Sequence, residues 1–204
     1  MNQTWIFIRH GESTANARRV LSGWQDVALT PLGRTQARRA GRALAARVPK
    51  IDRVLSSDLR RAVNTARLAL ENYPRPTPTI QIDARLRERN MGDLQGQSID
   101  KLQADGRMRQ ILGWDNAPPG GERLVELSRR CLAALIAQDP VDTTIVFAHG
   151  GVIRALIGMA DGLRTQQITS RRVENAKLMT RTLPVNGWRE IQRQYGYDKG
   201  LSSY

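Results

Sequence analysis

The sequence predicts an α/β fold: a single domain with a mostly parallel central sheet flanked by helices. Two observations carry that prediction. Short apolar strand candidates alternate with amphipathic helical stretches along the chain, and the run TTIVFA (residues 143–148) is apolar throughout its centre, as in a parallel strand buried on both faces. The chain has 204 residues and no internal break in composition, so one domain over residues 1–204 is expected, closed by a short loose tail.

Taken in order, residues 5–9 form the first strand candidate. A polar loop then leads to Thr30-Pro31, where Thr30 as N-cap and Pro31 at the first helical position start a long amphipathic helix ending near Arg47. DRVLSS (52–57) is a second strand candidate, followed by a helix over about residues 58–70. PRPTPTIQID (74–83) reads as a rigid turn feeding a third strand near Ile80. Residues 84–120 are rich in loop, with one or two helical pieces, and GGERLVELSRRCLAALIAQ (120–138) is a clear helix. After the fourth strand, TTIVFA, a helix is expected from about Val152. NAKLMTRTL (175–183) and GWREIQRQY (187–195) are expected as two alternating strands at one side of the sheet, and DKGLSSY (198–204) as the tail.

Composition removes several classes. One cysteine, Cys131, excludes a disulfide framework or thiolate metal cluster, and its place in an apolar helical run reads as core packing. The opening apolar run is too short for a secretory signal, and no stretch approaches the roughly 18 apolar residues of a membrane span. A soluble cytoplasmic protein is expected, with no membrane partner. The net charge of +13 suggests a polyanionic partner on its face. Yet 28 of the 32 basic residues are Arg, a skew that GC-rich coding alone produces, and no zinc-finger, RNA-binding or basic-zipper pattern accompanies them. Nucleic acid is therefore not the expected partner; a homodimeric assembly is left open.

In a parallel α/β sheet, ligands bind at the carboxyl ends of the strands. The first strand ends in Arg9-His10 and the fourth in His149-Gly150-Gly151, and these are the only two histidines in the chain. The second strand ends in SSDLRR, placing Arg60 at a helix start on the same edge, and ARLRERN after the third places Glu88 there. Two imidazoles, two guanidiniums and a carboxylate suit a tetrahedral dianion. Guanidinium forks match phosphate oxygens, a neutral imidazole is a nucleophile toward phosphorus, and a carboxyl group can protonate a departing alkoxide and then deprotonate water. A zinc site is the rival use of two histidines, but no third ligand of suitable spacing stands out. Neither a metal nor a cofactor is expected.

RHGES (9–13), Asn16, SGWQDVALTPLGRTQA from Ser22, SSDLRRAVNTA from Ser56, LRERNMGDLQG from Leu86, PPGGE (118–122) and AHGG (148–151) together resemble the histidine phosphatase superfamily, the phosphoglycerate-mutase-like group. The resemblance runs in the family's order over roughly residues 4–185. It implies that His10 becomes phosphorylated, that Arg9, Arg60 and His149 form a phosphate pocket, that Asn16 and the Gly150 backbone assist, and that Glu88 is the proton donor. It further implies that Ser22 and Gly23 contact a small phosphorylated substrate.

Within the family, SGWQDVALT and RERNMGDLQG resemble the cofactor-dependent mutases. Those mutases, however, carry a Tyr three residues after the catalytic Glu and, eight further on, a Lys for the substrate carboxylate; this chain has Met91 and Ile99. It also passes quickly from RMRQILGWDN to PPGGE, which resembles the broad-specificity and α-ribazole-type phosphatases. Lys101, Arg107 and Arg109 are available as partial substitutes for the missing cations, and Trp24, Met91, Trp114 and Arg107 either line the substrate pocket or pack against loops. The expected function is a phosphomonoester hydrolase; a phosphoglycerate mutase and a non-enzymatic phospho-ligand binding protein are the alternatives.

Overall fold

The computed structural model describes residues 1–71 and 73–196. Strand β1 (Asn2–Arg9) leads through a short helix α1 (Thr14–Ala17) to α2 (Pro31–Arg47), then β2 (Arg53–Ser56), α3 (Arg60–Leu70) and β3 (Ile80–Ile82). Three 3₁₀ turns and helix α4 (Ile99–Ala104) occupy the segment before α5 (Leu124–Ile136). There follow β4 (Thr143–Ala148), α6 (Gly150–Ala160), α7 (Thr165–Ser170), β5 (Leu178–Pro184) and α8 (Gly187–Gln194).

The five strands lie in the order β3-β2-β4-β1-β5, all parallel except the edge strand β5, which is the mostly parallel α/β sheet expected. Alternation along the strands divides the core into two layers. Trp5 and Phe7 of β1 and Val146 and Ala148 of β4 face α5, α6 and α8, whereas Ile6, Ile8, Ile145 and Phe147 pack against Ala40 and Leu44 of α2 and Ala66 and Ala69 of α3. Thr30 caps α2 as expected, its hydroxyl accepting the Gly33 N–H at 3.0 Å ahead of Pro31. Cys131 is fully buried; burial pushes its thiol up to about 12, and the Sγ donates to the Arg85 carbonyl at 3.2 Å. Among the described residues, no helix is long and apolar enough to cross a membrane.

One expected strand is a helix. GWREIQRQY forms α8, because Trp188 and Ile191 are buried and Tyr195 packs against the same core, a spacing of three and four that fits a helical face rather than a pleat. Trp188 meets Trp5 and Phe7 edge to face, with ring centroids 5.6 and 5.9 Å apart. Helix α3 begins at Arg60 rather than near residue 58, and α6 at Gly150 rather than Val152. The tail expected over residues 198–204 lies outside the described residues.

Candidate active site

The sheet order brings three strand ends together. Arg9 of β1 is in register with Ala148 of β4, and the His10 N–H donates to the Ala148 carbonyl at 3.0 Å. The Ser57 N–H donates in turn to the Phe147 carbonyl at 3.0 Å, so the chain leaves β1, β4 and β2 at His10, His149 and Ser57 side by side. The two imidazole centroids are 5.2 Å apart.

His10 is 3% exposed and its Nδ1 lies 2.7 Å from the Gly11 carbonyl. A carbonyl only accepts, so Nδ1 carries the hydrogen and Nε2 the lone pair. Burial first, then the charges of Arg61 and Arg9, holds its pKa well below the ordinary imidazole value of 6.5, which keeps the ring neutral at pH 7. His149 is fully buried with its Nε2 2.9 Å from Ser57 Oγ. Burial, Arg61, His10 and Arg9 hold its pKa low as well.

The structure corrects one expected member of the pocket. Arg60 points to the surface, its side chain 58% exposed and paired with Asp26, whose backbone carbonyl also accepts from Nη2 at 2.8 Å. Arg61 is the buried guanidinium at the imidazoles: it is 0% exposed, and among the charged groups it acts most strongly on both rings. Burial lowers Arg61 to about 10, opposed by Glu88 and Asp26, so it remains charged at neutral pH. The physical reason is the position at which α3 starts. From Arg60 onward the buried stripe is Arg61, Ala62, Thr65, Ala66 and Ala69, and Arg60 and Arg67 fall on the solvent face. That stripe was legible in SSDLRRAVNTA, where Thr65 and Ala69 stand four and eight residues beyond Arg61.

Arg9 lies beneath the start of α6. Its Nη1 donates to the Val173 carbonyl at 2.6 Å, while its Nε is buried with no partner among the described residues. Burial lowers its pKa, and Glu88 opposes the shift. Glu88 reaches the same place from the loop after β3: Oε2 accepts the Gly151 N–H at 3.0 Å, and Oε1 the N–H of Arg89 at 2.8 Å. A Cβ on residue 151 would stand 2.3 Å from Glu88 Oε1, so only glycine admits the carboxylate there. Gly150 and Gly151 open α6, whose first N–H groups suit an anion.

Of the remaining expected residues, Gly23 and Trp24 contact members of this group, whereas the bonds of Asn16 and Ser22 are local. Asn16 is engaged locally, its Oδ1 accepting the Ser13 N–H at 3.1 Å in a capping box at α1. Ser22 is partly exposed, and Gly23, at φ +47°, gives its carbonyl to Arg61 Nη2 at 2.7 Å. Trp24 donates its indole N–H to the Glu88 carbonyl at 2.6 Å and lies under the guanidiniums of Arg87 and Arg130, 5.1 and 6.0 Å from its centroid. Trp114, by contrast, is buried in the core.

Sequence reasoning missed two further residues. Ser57 bonds His149 as described, and Arg130 of α5 clamps the Glu88 loop: its guanidinium donates to the carbonyls of Arg85, Arg87 and Glu88 and pairs with Glu122 at 2.6 Å. Only position on the inner face of α5 distinguishes Arg130 from its exposed neighbour Arg129. Among the described residues no group of three His, Cys, Asp or Glu side chains is arranged to hold a metal ion.

Two buried imidazoles, the buried Arg61, the half-buried Arg9 and the Glu88 carboxylate thus meet at the carboxyl edge of a parallel sheet. The chain belongs to the histidine phosphatase superfamily (branch 1), whose family model matches residues 5–193. A 2,3-bisphosphoglycerate-dependent phosphoglycerate mutase of Methylorubrum populi is 37% identical over 180 residues, covering 83% of this chain and 84% of the relative. A mycobacterial glucosyl-3-phosphoglycerate phosphatase solved with VO3 superposes with a TM-score of 0.76 at 32% identity, over 87% of this chain and 92% of that one. A putative alpha-ribazole-5'-P phosphatase from Escherichia coli superposes with a TM-score of 0.76 at 29% identity, over 89% and 91%. Members of the superfamily are enzymes, both mutases and phosphatases.

Proposed function

We propose that the protein is a phosphomonoester hydrolase that acts on a small phosphorylated metabolite in the cytoplasm through a phosphohistidine at His10. The observation that carries this reading is the 2.7 Å bond from His10 Nδ1 to the Gly11 carbonyl, which leaves the Nε2 lone pair free for attack. Arg9 and Arg61 receive the phosphoryl oxygens with His149 and the N–H of Gly150. The P–N bond forms as the bond from phosphorus to the ester oxygen breaks, and Glu88 in its acid form gives its proton to the departing alkoxide. Water then attacks phosphorus and gives a proton to the Glu88 carboxylate. The P–N bond breaks, inorganic phosphate leaves, and both groups return to their starting states.

A mutase would pass the phosphoryl group back to an acid-bearing substrate, and the 37% identical relatives named as phosphoglycerate mutases favour that second reading. The positions three and eleven residues beyond Glu88 support hydrolysis instead. Met91 and Ile99 offer neither hydroxyl nor charge to a substrate carboxylate. Of the nearby cations, Arg107 is bonded to Gln97 at 2.9 Å, Arg109 is exposed and donates to the Gly106 carbonyl, and Lys101 is exposed on α4.

The test is a pair of assays with EDTA present throughout. Phosphate release from p-nitrophenyl phosphate, with acid-labile label that disappears in His10→Ala, is the expected result. Rapid 2,3-bisphosphoglycerate-stimulated conversion of 3-phosphoglycerate to 2-phosphoglycerate would move the assignment to mutase. Loss of activity in EDTA, restored by a divalent metal, would remove the mechanism altogether.

A further inference from the structure

Ser57 is fully buried one residue beyond the end of β2, and no step above uses its side chain. Its Oγ has two partners among the described residues: it accepts the Leu59 N–H at 3.3 Å and lies 2.9 Å from His149 Nε2. The hydroxyl proton of a buried serine needs an acceptor. An N–H cannot be one, so the remaining candidate is the Nε2 lone pair. If Nε2 carried a hydrogen instead, the Ser57 proton would be buried without an acceptor, which native structures avoid.

The consequence falls on the other ring nitrogen. His149 Nδ1 is buried without a partner among the described residues, in a ring 5.2 Å from His10 that also senses Arg61 and Arg9. A bare lone pair there would repel an anionic phosphoryl group; an N–H would bind it. We infer that Ser57 is a positioning residue that donates its hydroxyl to His149 Nε2 and so fixes His149 as the Nδ1–H tautomer. The two histidines then hold the same tautomer for opposite ends. His10 turns its Nδ1–H to the Gly11 carbonyl and its lone pair to phosphorus, whereas His149 turns its lone pair to Ser57 and its N–H to the phosphoryl oxygens. The inference rests on the reading of this pocket as a phosphoryl-transfer site.

Because the chain has only two histidines, the full-length protein labelled with ¹⁵N in its imidazoles gives four ring-nitrogen signals, and His10→Gln assigns them. In the free wild type at neutral pH, both rings should be protonated at Nδ1 and bare at Nε2. Ser57→Ala should change the His149 signals alone, slow phosphorylation of His10 by about 10- to 100-fold, approaching the loss of one oxyanion donor, and leave KM nearly unchanged. Ser57→Thr should restore the spectrum and most of the rate. Protonation of wild-type His149 at Nε2 would overturn the inference, even if Ser57→Ala failed to fold. So would a Ser57→Ala enzyme that keeps its labelling rate, whether or not the tautomer moves. Absence of label on His10 in the wild type would instead sink the phosphoryl-transfer reading, and the spectrum would still decide the tautomer.

Discussion

Arg61 Nη2 donates to the Gly23 carbonyl at 2.7 Å and Nη1 to the Gln25 carbonyl at 2.8 Å, so the guanidinium beside the two imidazoles also anchors the loop between α1 and α2. A planar fork can satisfy both tasks at once; a point charge cannot. Arg61→Ala should therefore lower kcat/KM by about 100- to 1,000-fold, and Arg61→Lys should recover little of it. Arg60→Ala removes only an exposed pair with Asp26 and should change kcat/KM by less than about threefold. Steady-state kinetics of the three variants decides the matter, and equal losses at positions 60 and 61 would contradict the assignment.

Glu88→Gln keeps the shape of the side chain and removes its acid form. General acid catalysis is worth about 100- to 10,000-fold and matters most for basic leaving groups. Hydrolysis of alkyl phosphates should collapse, whereas p-nitrophenol should still be released in a burst followed by slow turnover, because the leaving group needs little protonation but water still lacks its base. Stopped-flow traces with both substrates are the measurement. A small and equal effect on every substrate would take Glu88 out of the chemistry.

Gly151→Ala should separate stability from activity. Position 151 is in the first turn of α6 with ordinary helical backbone, where exchange of Gly for Ala adds roughly 0.4–1 kcal/mol of stability. The new methyl would stand 2.3 Å from Glu88 Oε1, and the carboxylate at the end of a flexible side chain is what moves. The expected variant melts at or above the wild-type temperature while its kinetics resemble those of Glu88→Gln. A fully active Gly151→Ala enzyme would show that the Glu88 position observed here is not the working one.

Both imidazoles are buried with pKa values far below that of an exposed histidine. The unfolded chain therefore takes up protons at a pH where the folded chain does not, so stability is complete above about pH 6.5 and declines as pH falls toward the folded-state values. Each histidine contributes a slope of up to roughly 1.4 kcal/mol per pH unit in that window. Urea unfolding from pH 7.5 to 5 should show the decline, and His149→Gln should remove about half of the histidine part. A slope unchanged in the variant would mean that His149 is protonated in the folded state.

Much of this was written locally. The β1 and β4 runs, the Thr30-Pro31 start of α2 and the strand-end positions of His10 and His149 follow from short-range periodicity and capping, which depend on neighbours in the chain. The family motifs carried the same information about His10, Glu88 and His149. What the sequence left open is what depends on the orientation of one element against another. Arg60 and Arg61 differ by one helical step, about 100° of rotation; the small residues four and eight places beyond Arg61 favour it, and the packing of α3 on the sheet decides that it enters the pocket. Trp188 and Ile191 acquire helical meaning only because Trp5 and Phe7 present an aromatic face beneath them. The partners of Ser57 and Arg130, His149 and the Glu88 loop, lie 92 and 42 residues away; the first pair forms only when the sheet order brings two strand ends together, the second only when α5 packs beside the Glu88 loop.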